Sequence, residues 1–249
     1  MNILFTNDDG IHFPGIEALV EAFKEVANVY VFAPAMEKSA TSQAMTLFED
    51  IYVKKLDDRT YIVNGYPVDC VNIALHGGFL NEKIDLVISG INKGVNMGED
   101  IFYSGTVSAA RHAYIHGIPA LAVSSGFLDA TGDFKRVAAF VLNFVEENFQ
   151  RLEKPFLLNI NYPKLAKIPE KIKWTKCGVR IYRDSYKKSS LSGNEFLVNL
   201  GGSTLGYKEI GDCDFEVYEN GYVSITPLNK DGTDYNYQAN HPEPESGTK

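Results

Sequence analysis

The chain has 249 residues, 45% hydrophobic and 22% charged, with a formal net charge of −8. That length supports a sizeable core in one large domain, or one with an appendage, and the acidic balance excludes a groove tracking a nucleic-acid polymer, which needs many phosphate-neutralising Lys and Arg. No run approaches the ~18 apolar residues of a membrane span, and no basic segment leads into an apolar stretch and a cleavage site, so neither a membrane location nor a signal peptide is expected.

Residues 2–6, "NILFT", form a short apolar strand that runs into Asn7, Asp8, Asp9 and Gly10. Pro14 then opens a helix in which Ile16, Leu19, Val20 and Phe23 follow the i, i+3, i+4, i+7 stripe. "VYVFA" (29–33) is a second strand, ended by Pro34, and "DIYVKKL" and "TYIVNG" flank an "LDDR" turn as a hairpin. Pro67 starts a short helix, "DLVISG" (85–90) is a third buried strand, and a glycine-rich loop leads to a helix through "TVSAARHAYIHG" that closes at Gly117. "PALAVS" is a strand, Val137, Phe140, Val141, Phe144 and Val145 mark a helix, and "FLLNI" (156–160) is another strand.

Apolar strands without alternation, joined by helices, predict a parallel sheet covered on both faces. The expected fold is α/β, a Rossmann-like doubly wound, mostly parallel sheet with a C-terminal β-hairpin extension. Residues 1–171 read as the α/β catalytic domain and 172–240 as polar-aromatic hairpins ("KIKWTKC", "RIYRDSY", "EFLVNL", "GYVSITPL") suited to self-association. Residues 241–249 lack periodicity and read as a disordered tail.

In an open parallel sheet, ligands bind outside the carboxyl ends of the strands. The first strand delivers Asp8 and Asp9 there, the second Lys38 and Ser39, the third Asn92, Asn96 and the Ser104–Thr106 turn. Adjacent carboxylates repel, so the aspartates are either a solvated turn or a pair with something positive between them. Two carboxylates, a hydroxyl and an amide oxygen suit a hard cation such as Mg²⁺ or Mn²⁺. "GINKGVNMG" carries glycines at 90, 94 and 98, which is neither of the two familiar phosphate cradles. "YSGT" sits where N–H groups at a helix start meet an anion, or where Ser104 is simply an N-cap. His112 and His116 are four apart on a helix, but no HExxH is present, and they read as solvated or capping residues. Cys70, Cys177 and Cys213 are far apart with no CxxC, so neither a disulfide framework nor a zinc cluster is suggested and the cytoplasm is the expected compartment. Cys70 reads as a small core residue, and no GxSxG elbow occurs.

"NDDG", "EKSA", "GYPVDCV", "SGINKGVNMGEDIFYSGTVSAA" and, much later, "GYVSITPL" together resemble the SurE survival-protein family. The resemblance implies a metal-dependent 5′/3′-nucleotidase of the cytoplasm, with one divalent ion at Asp8, Asp9, Ser39 and Asn92. It also implies nucleoside monophosphates as substrates, polyphosphate as a further one, and a homodimer or tetramer that exchanges its C-terminal hairpins. Where the family often has Glu-Gly after "SAA", this chain has Arg111-His112.

On that reading Asp9, or else Asp8, orients or deprotonates the attacking water. Asn96, Ser104, Gly105 and Thr106 hold the phosphoryl oxygens. One competing reading is a Mg²⁺-binding receiver switch, which needs a phosphoacceptor Asp after the third strand; here that strand ends in Ser89-Gly90. The other is a nucleotide-binding protein without hydrolysis, which the missing glycine fingerprints disfavour.

Overall fold

The computed structural model describes residues 1–165, 171–202 and 206–232. The terminal segment expected at 241–249 lies outside them. The first half alternates β1 (Asn2–Thr6), α1 (Pro14–Phe23), β2 (Asn28–Pro34), the hairpin β3 (Val53–Lys55) and β4 (Thr60–Val63), α2 (Pro67–His76), β5 (Leu86–Lys93), a 3-10 turn (Gly98–Phe102), α3 (Gly105–Ile115), β6 (Ala120–Ser125), α4 (Phe134–Asn148) and β7 (Leu157–Tyr162). Then come β8 (Ile172–Trp174), β9 (Val179–Ile181), β10 (Asp184–Ser190), β11 (Phe196–Gly202), β12 (Gly206–Lys208), α5 (Asp214–Glu219) and β13 (Val223–Pro227).

Nine strands form one sheet in the order β3-β4-β2-β1-β5-β6-β7-β13-β8. From β4 to β7 every pairing is parallel. The chain steps outward from β1 through β2 to β4, crosses back to β5 on the other side of β1, and steps outward again. That reversal between β1 and β5 opens a crevice at the carboxyl ends of the two strands, the place where doubly wound sheets take ligands.

Successive side chains of β1 point to opposite faces. Ile3 and Phe5 join a core with Ile16, Leu19 and Phe23 of α1 and Val137, Val141 and Phe144 of α4. Leu4 joins the opposite core, with Val71 and Ala74 of α2 and Val107, Ala110 and Ala113 of α3. Both faces are covered, which is why the strands read as unbroken apolar runs.

β5 is longer than its sequence suggests. It continues through Lys93, and its pairing with β6 shifts between Ser89 and Asn92. The irregularity centres on Gly90, at φ +144°, where a Cβ would lie 2.3 Å from the Val123 carbonyl oxygen. Asn92 and Lys93 are therefore held by a strand, opposite Ser124 and Ser125, and not by the glycine-rich loop expected after residue 90.

The segment beyond 171 divides its strands. β13 pairs antiparallel with β7, β8 pairs parallel with β13, and both extend the large sheet. β10 and β11 form an antiparallel hairpin that stands outside it, and β9 and β12, which flank that hairpin in the chain, form a separate antiparallel pair. The short helix α5, absent from the sequence reading, buries Phe215 and Asp214. Asp214 accepts hydrogen bonds from the N–H groups of Gly98 and Gly178, each at 2.8 Å. Arg180 pairs with Asp100, and its own N–H donates to Glu99 at 2.6 Å. The late segment thus grips the 3-10 turn that leads into α3.

Candidate active site

Asn7 shapes the turn after β1. Its amide nitrogen donates to the Gly10 carbonyl (2.8 Å) and its amide oxygen accepts from Gly10 N–H (3.2 Å). The next two side chains are thereby turned inward. Asp8 is 3% exposed and Asp9 9%, which rules out a solvated turn.

Asp8 lies against the start of α3. Thr106 donates its hydroxyl to Asp8 Oδ1 at 2.5 Å, and its backbone N–H also favours the carboxylate. Burial outweighs these donors, and with the Asp9 charge it raises the Asp8 pKa to about 6. Gly105 is the reason the helix can start so close. A Cβ there would sit 2.9 Å from Asp8 Cβ and 3.2 Å from Pro67 Cγ. Gly105→Ala is expected to cost about 1–3 kcal/mol, the usual penalty for overpacking, read as a lower urea midpoint at unchanged slope. An unchanged midpoint would mean that Asp8 has room to move.

Asp9 faces a cation. Lys93 N–H donates to Asp9 Oδ2 at 3.2 Å, and Lys93 Nζ lies 3.3 Å from Oδ1 and 2.7 Å from Glu37 Oε2. The ammonium is close to Oδ1 but is not aligned on it, and that buried oxygen accepts no hydrogen bond. Burial raises the Asp9 pKa against the opposing pull of Lys93. Glu37 moves the other way, lowered by its bonds from Lys93 and Ser39.

The other expected residues gather to different degrees. Lys38 N–H donates to the Asp8 carbonyl at 2.6 Å, which lays the 35–42 loop across the crevice. Ser39 is exposed on that loop and its hydroxyl donates to Glu37 at 2.6 Å. Asn92 commits its amide nitrogen to the Gly94 carbonyl (3.0 Å), and not its oxygen. Ser104 is the N-cap of α3, accepting from Val107 N–H at 3.1 Å, so its hydroxyl proton is not used by that bond. Asn96 is buried in a layer of amides. Its side-chain nitrogen donates to Ser124, and its backbone bonds with Asn159 and Asn161.

Sequence reasoning missed Lys93 and Glu37. The continuation of β5 past Gly90 is what brings Lys93 to the crevice, and no sequence pattern marks Glu37. Sequence reasoning also misplaced His112, which is 6% exposed and therefore neither solvated nor a cap; its partner on the helix, His116, is the C-cap of α3.

The donor set fits a hard divalent cation. Every candidate atom is an oxygen, two neighbouring carboxylates are buried with raised pKa values, and one carboxylate oxygen has no hydrogen bond. An open depression of about 550 Å³ lined by Met1, Lys83, Asp85 and Lys154 lies elsewhere and includes none of these residues.

A model of the family described as survival protein SurE matches residues 3–184, a span that holds every residue of this crevice. The chain belongs to the SurE family. A protein of Leptospira interrogans named 5′-nucleotidase SurE is 46% identical over 236 residues, 94% of each chain. One of the same name from Leptospira biflexa is 43% identical over 240 residues, 95% of this chain and 96% of the relative. The crystal structure of the SurE protein from Aquifex aeolicus aligns with a TM-score of 0.83 at 35% identity, covering 96% of this chain and 97% of that one. Within the SurE match, the "NDDG" stretch meets the "YSGT" stretch through Asp8, Gly105 and Thr106.

Proposed function

We propose that this SurE chain is a divalent-metal-dependent phosphomonoesterase that hydrolyses nucleoside 5′- and 3′-monophosphates and also shortens polyphosphate. The observation that carries this reading is the buried pair Asp8–Asp9 at the switch point of the sheet, with the N-terminus of α3 set against it. The relatives named 5′-nucleotidase support the substrate class.

Asp8, Asp9, Ser39 and Asn92 would hold one Mg²⁺ or Mn²⁺, with Ser39 turning from Glu37 to do so. When bound, such an ion polarises a phosphoryl oxygen and lowers the pKa of water. Ser104 offers a hydroxyl proton, and Gly105 and Thr106 the first N–H groups of α3, to the phosphoryl oxygens, whose charge the helix start favours. Asn96 would add the second proton of its amide nitrogen, whose first goes to Ser124. Asp9 orients the attacking water and takes its proton, because Asp9 Oδ1 is without a hydrogen bond whereas Asp8 Oδ1 is taken by Thr106. Lys93, between Asp9 and Glu37, keeps Asp9 ionised for that role. The receiver reading loses further ground, since β5 delivers Asn92 and Lys93 to the crevice and no carboxylate.

The test is phosphate release from a panel of 5′- and 3′-nucleoside monophosphates and polyphosphate, with purified protein and Mg²⁺ or Mn²⁺. Release from AMP is expected. Nucleotide binding without release would leave a binder in place of an enzyme.

The reading includes a cytoplasmic homodimer or tetramer built through the 172–240 extension. Among the described residues no helix is long and apolar enough to cross a membrane. The β10–β11 hairpin exposes Tyr186, Leu197, Val198 and Leu200, each by 59% or more, and an uncovered apolar ribbon invites a second strand. Leu197→Lys combined with Leu200→Lys is expected to lower the mass seen by light scattering and to leave the circular dichroism intact. An unchanged mass would remove the hairpin from the interface.

A further inference from the structure

α2 and α3 pack side by side through Val71 and Ala74 against Ala109, Ala110 and Ala113. Their C-terminal ends bring three histidines together. His76 is the last residue of α2 and His116 the C-cap of α3. His76 Nε2 stands 3.2 Å from His116 Nδ1, and both residues are exposed. The ring centroids of His76 and His116 are 4.6 Å apart, as are those of His112 and His116, so the His116 ring lies in contact with both of the others. His112 is buried, with its Nε2 3.4 Å from Asn72 Oδ1.

Two features of this corner favour a cation. First, a neutral imidazole offers one lone pair and one N–H, so in the ion-free chain a single proton bridges the two facing nitrogens. The gap between them is also the one a tetrahedral ion sets, since metal–nitrogen bonds of about 2.0–2.1 Å place two ligand nitrogens about 3.3 Å apart. Second, both histidines sit at helix C-termini, where the helix dipoles present negative charge.

We propose that His76 and His116 form a second metal site, remote in chemistry from the oxygen-lined crevice, that takes a borderline divalent ion such as Zn²⁺, Ni²⁺ or Cu²⁺. The ion uses the two facing lone pairs, the bridging proton moves to the far nitrogen of the ring that held it, and water completes the shell. Among the described residues no group of three or more His, Cys, Asp or Glu side chains is arranged to hold a metal ion, so this is a two-nitrogen site. His112 is a positioning residue that fixes the His116 ring. A bound ion clasps the C-terminal ends of α2 and α3, whose N-terminal ends already meet where Pro67 abuts Gly105. It stabilises the fold by mass action.

The test is Zn²⁺ titration of the full-length protein by calorimetry in excess Mg²⁺, which satisfies oxygen donors and competes poorly for imidazole. Alongside it, electron paramagnetic resonance of one equivalent of Cu²⁺ counts the coupled nitrogens. The expected result is one equivalent of Zn²⁺ and coupling to two nitrogens. His76→Ala and His116→Ala should each abolish the Zn²⁺ step and leave at most one coupled nitrogen, whereas His12→Ala changes neither. His116→Gln gives a second route should His116→Ala fold poorly. Absence of Zn²⁺ binding to the parent protein, or unchanged binding in His76→Ala or in a folded His116 variant, overturns the proposal.

Discussion

Asp8→Asn is expected to cut phosphate release from AMP by at least about a hundredfold, the scale of losing a transition-state electrostatic contact, and to make the metal-free protein more stable at pH 7. Asp9→Asn should match it in activity. The two effects have one cause. Burial raises the Asp8 pKa from 3.8 to about 6, which reflects how poorly the buried crevice tolerates the charge. Below pH 4 the carboxyl is neutral in both the folded and the unfolded chain, and it costs nothing extra. As pH rises from 4 to 6 the unfolded chain ionises first, so folding stability falls; above pH 6 the loss is constant, roughly 3 kcal/mol for a shift of this size. Asn carries no such charge. The metal-free variant should therefore lose less melting temperature between pH 4 and 7 than the parent protein, keeping only the decline that the raised carboxyls of Asp9 and Asp214 contribute, and Mg²⁺ should raise the melting temperature of the parent more than that of the variant. Wild-type turnover in both variants at saturating metal would remove the aspartates from the mechanism. A parallel pH decline in Asp8→Asn would remove Asp8 from the electrostatic argument.

EDTA is expected to abolish AMP hydrolysis, with Mg²⁺ or Mn²⁺ restoring it better than Zn²⁺ does. The proposed ligands are two carboxylates, a hydroxyl and an amide oxygen, with no sulfur or nitrogen among them. Mg²⁺ and Mn²⁺ accept such oxygen shells and retain several waters, whereas the sites Zn²⁺ favours are built largely from sulfur and nitrogen. Affinity is the wrong measure, because Zn²⁺ outbinds Mn²⁺ at most divalent sites; turnover decides. Full activity in EDTA would end the metal mechanism. Restoration by Zn²⁺ alone would move attention to the imidazole pair at His76 and His116.

Much of the frame was legible because its signals are local. The stripe Ile16, Leu19, Val20, Phe23 marked α1, and Pro14 and Pro67 stand at the first positions of their helices. Ser104 was readable as a helix start, and it is the N-cap. What escaped depends on partners far away in the chain. β8 and β13 show the same alternation whether they form a free hairpin or border a sheet, and only β7 decides between these. The continuation of β5 through Lys93 depends on its pairing with β6 beyond Gly90. The contacts among Lys93, Glu37 and Asp9 join the end of β5, the loop after β2 and the turn after β1, whose sequences carry no shared pattern. His112 sits on a helix of low amphipathic contrast, where alanines surround it and burial cannot be read from periodicity.

The late addition of β13 has a consequence for synthesis. β7 is buried along its length and leans on β6 at one edge and β13 at the other. On the ribosome β7 is complete at Tyr162, but its second neighbour begins only at Val223. At ~5–20 residues per second, the nascent chain carries an open apolar edge for on the order of several seconds, long enough for strands of neighbouring chains to pair with it. The site-bearing half of the sheet is finished before its guard strand exists. Slow translation between 163 and 222 would therefore harm the yield of folded protein more than the stability of the finished fold.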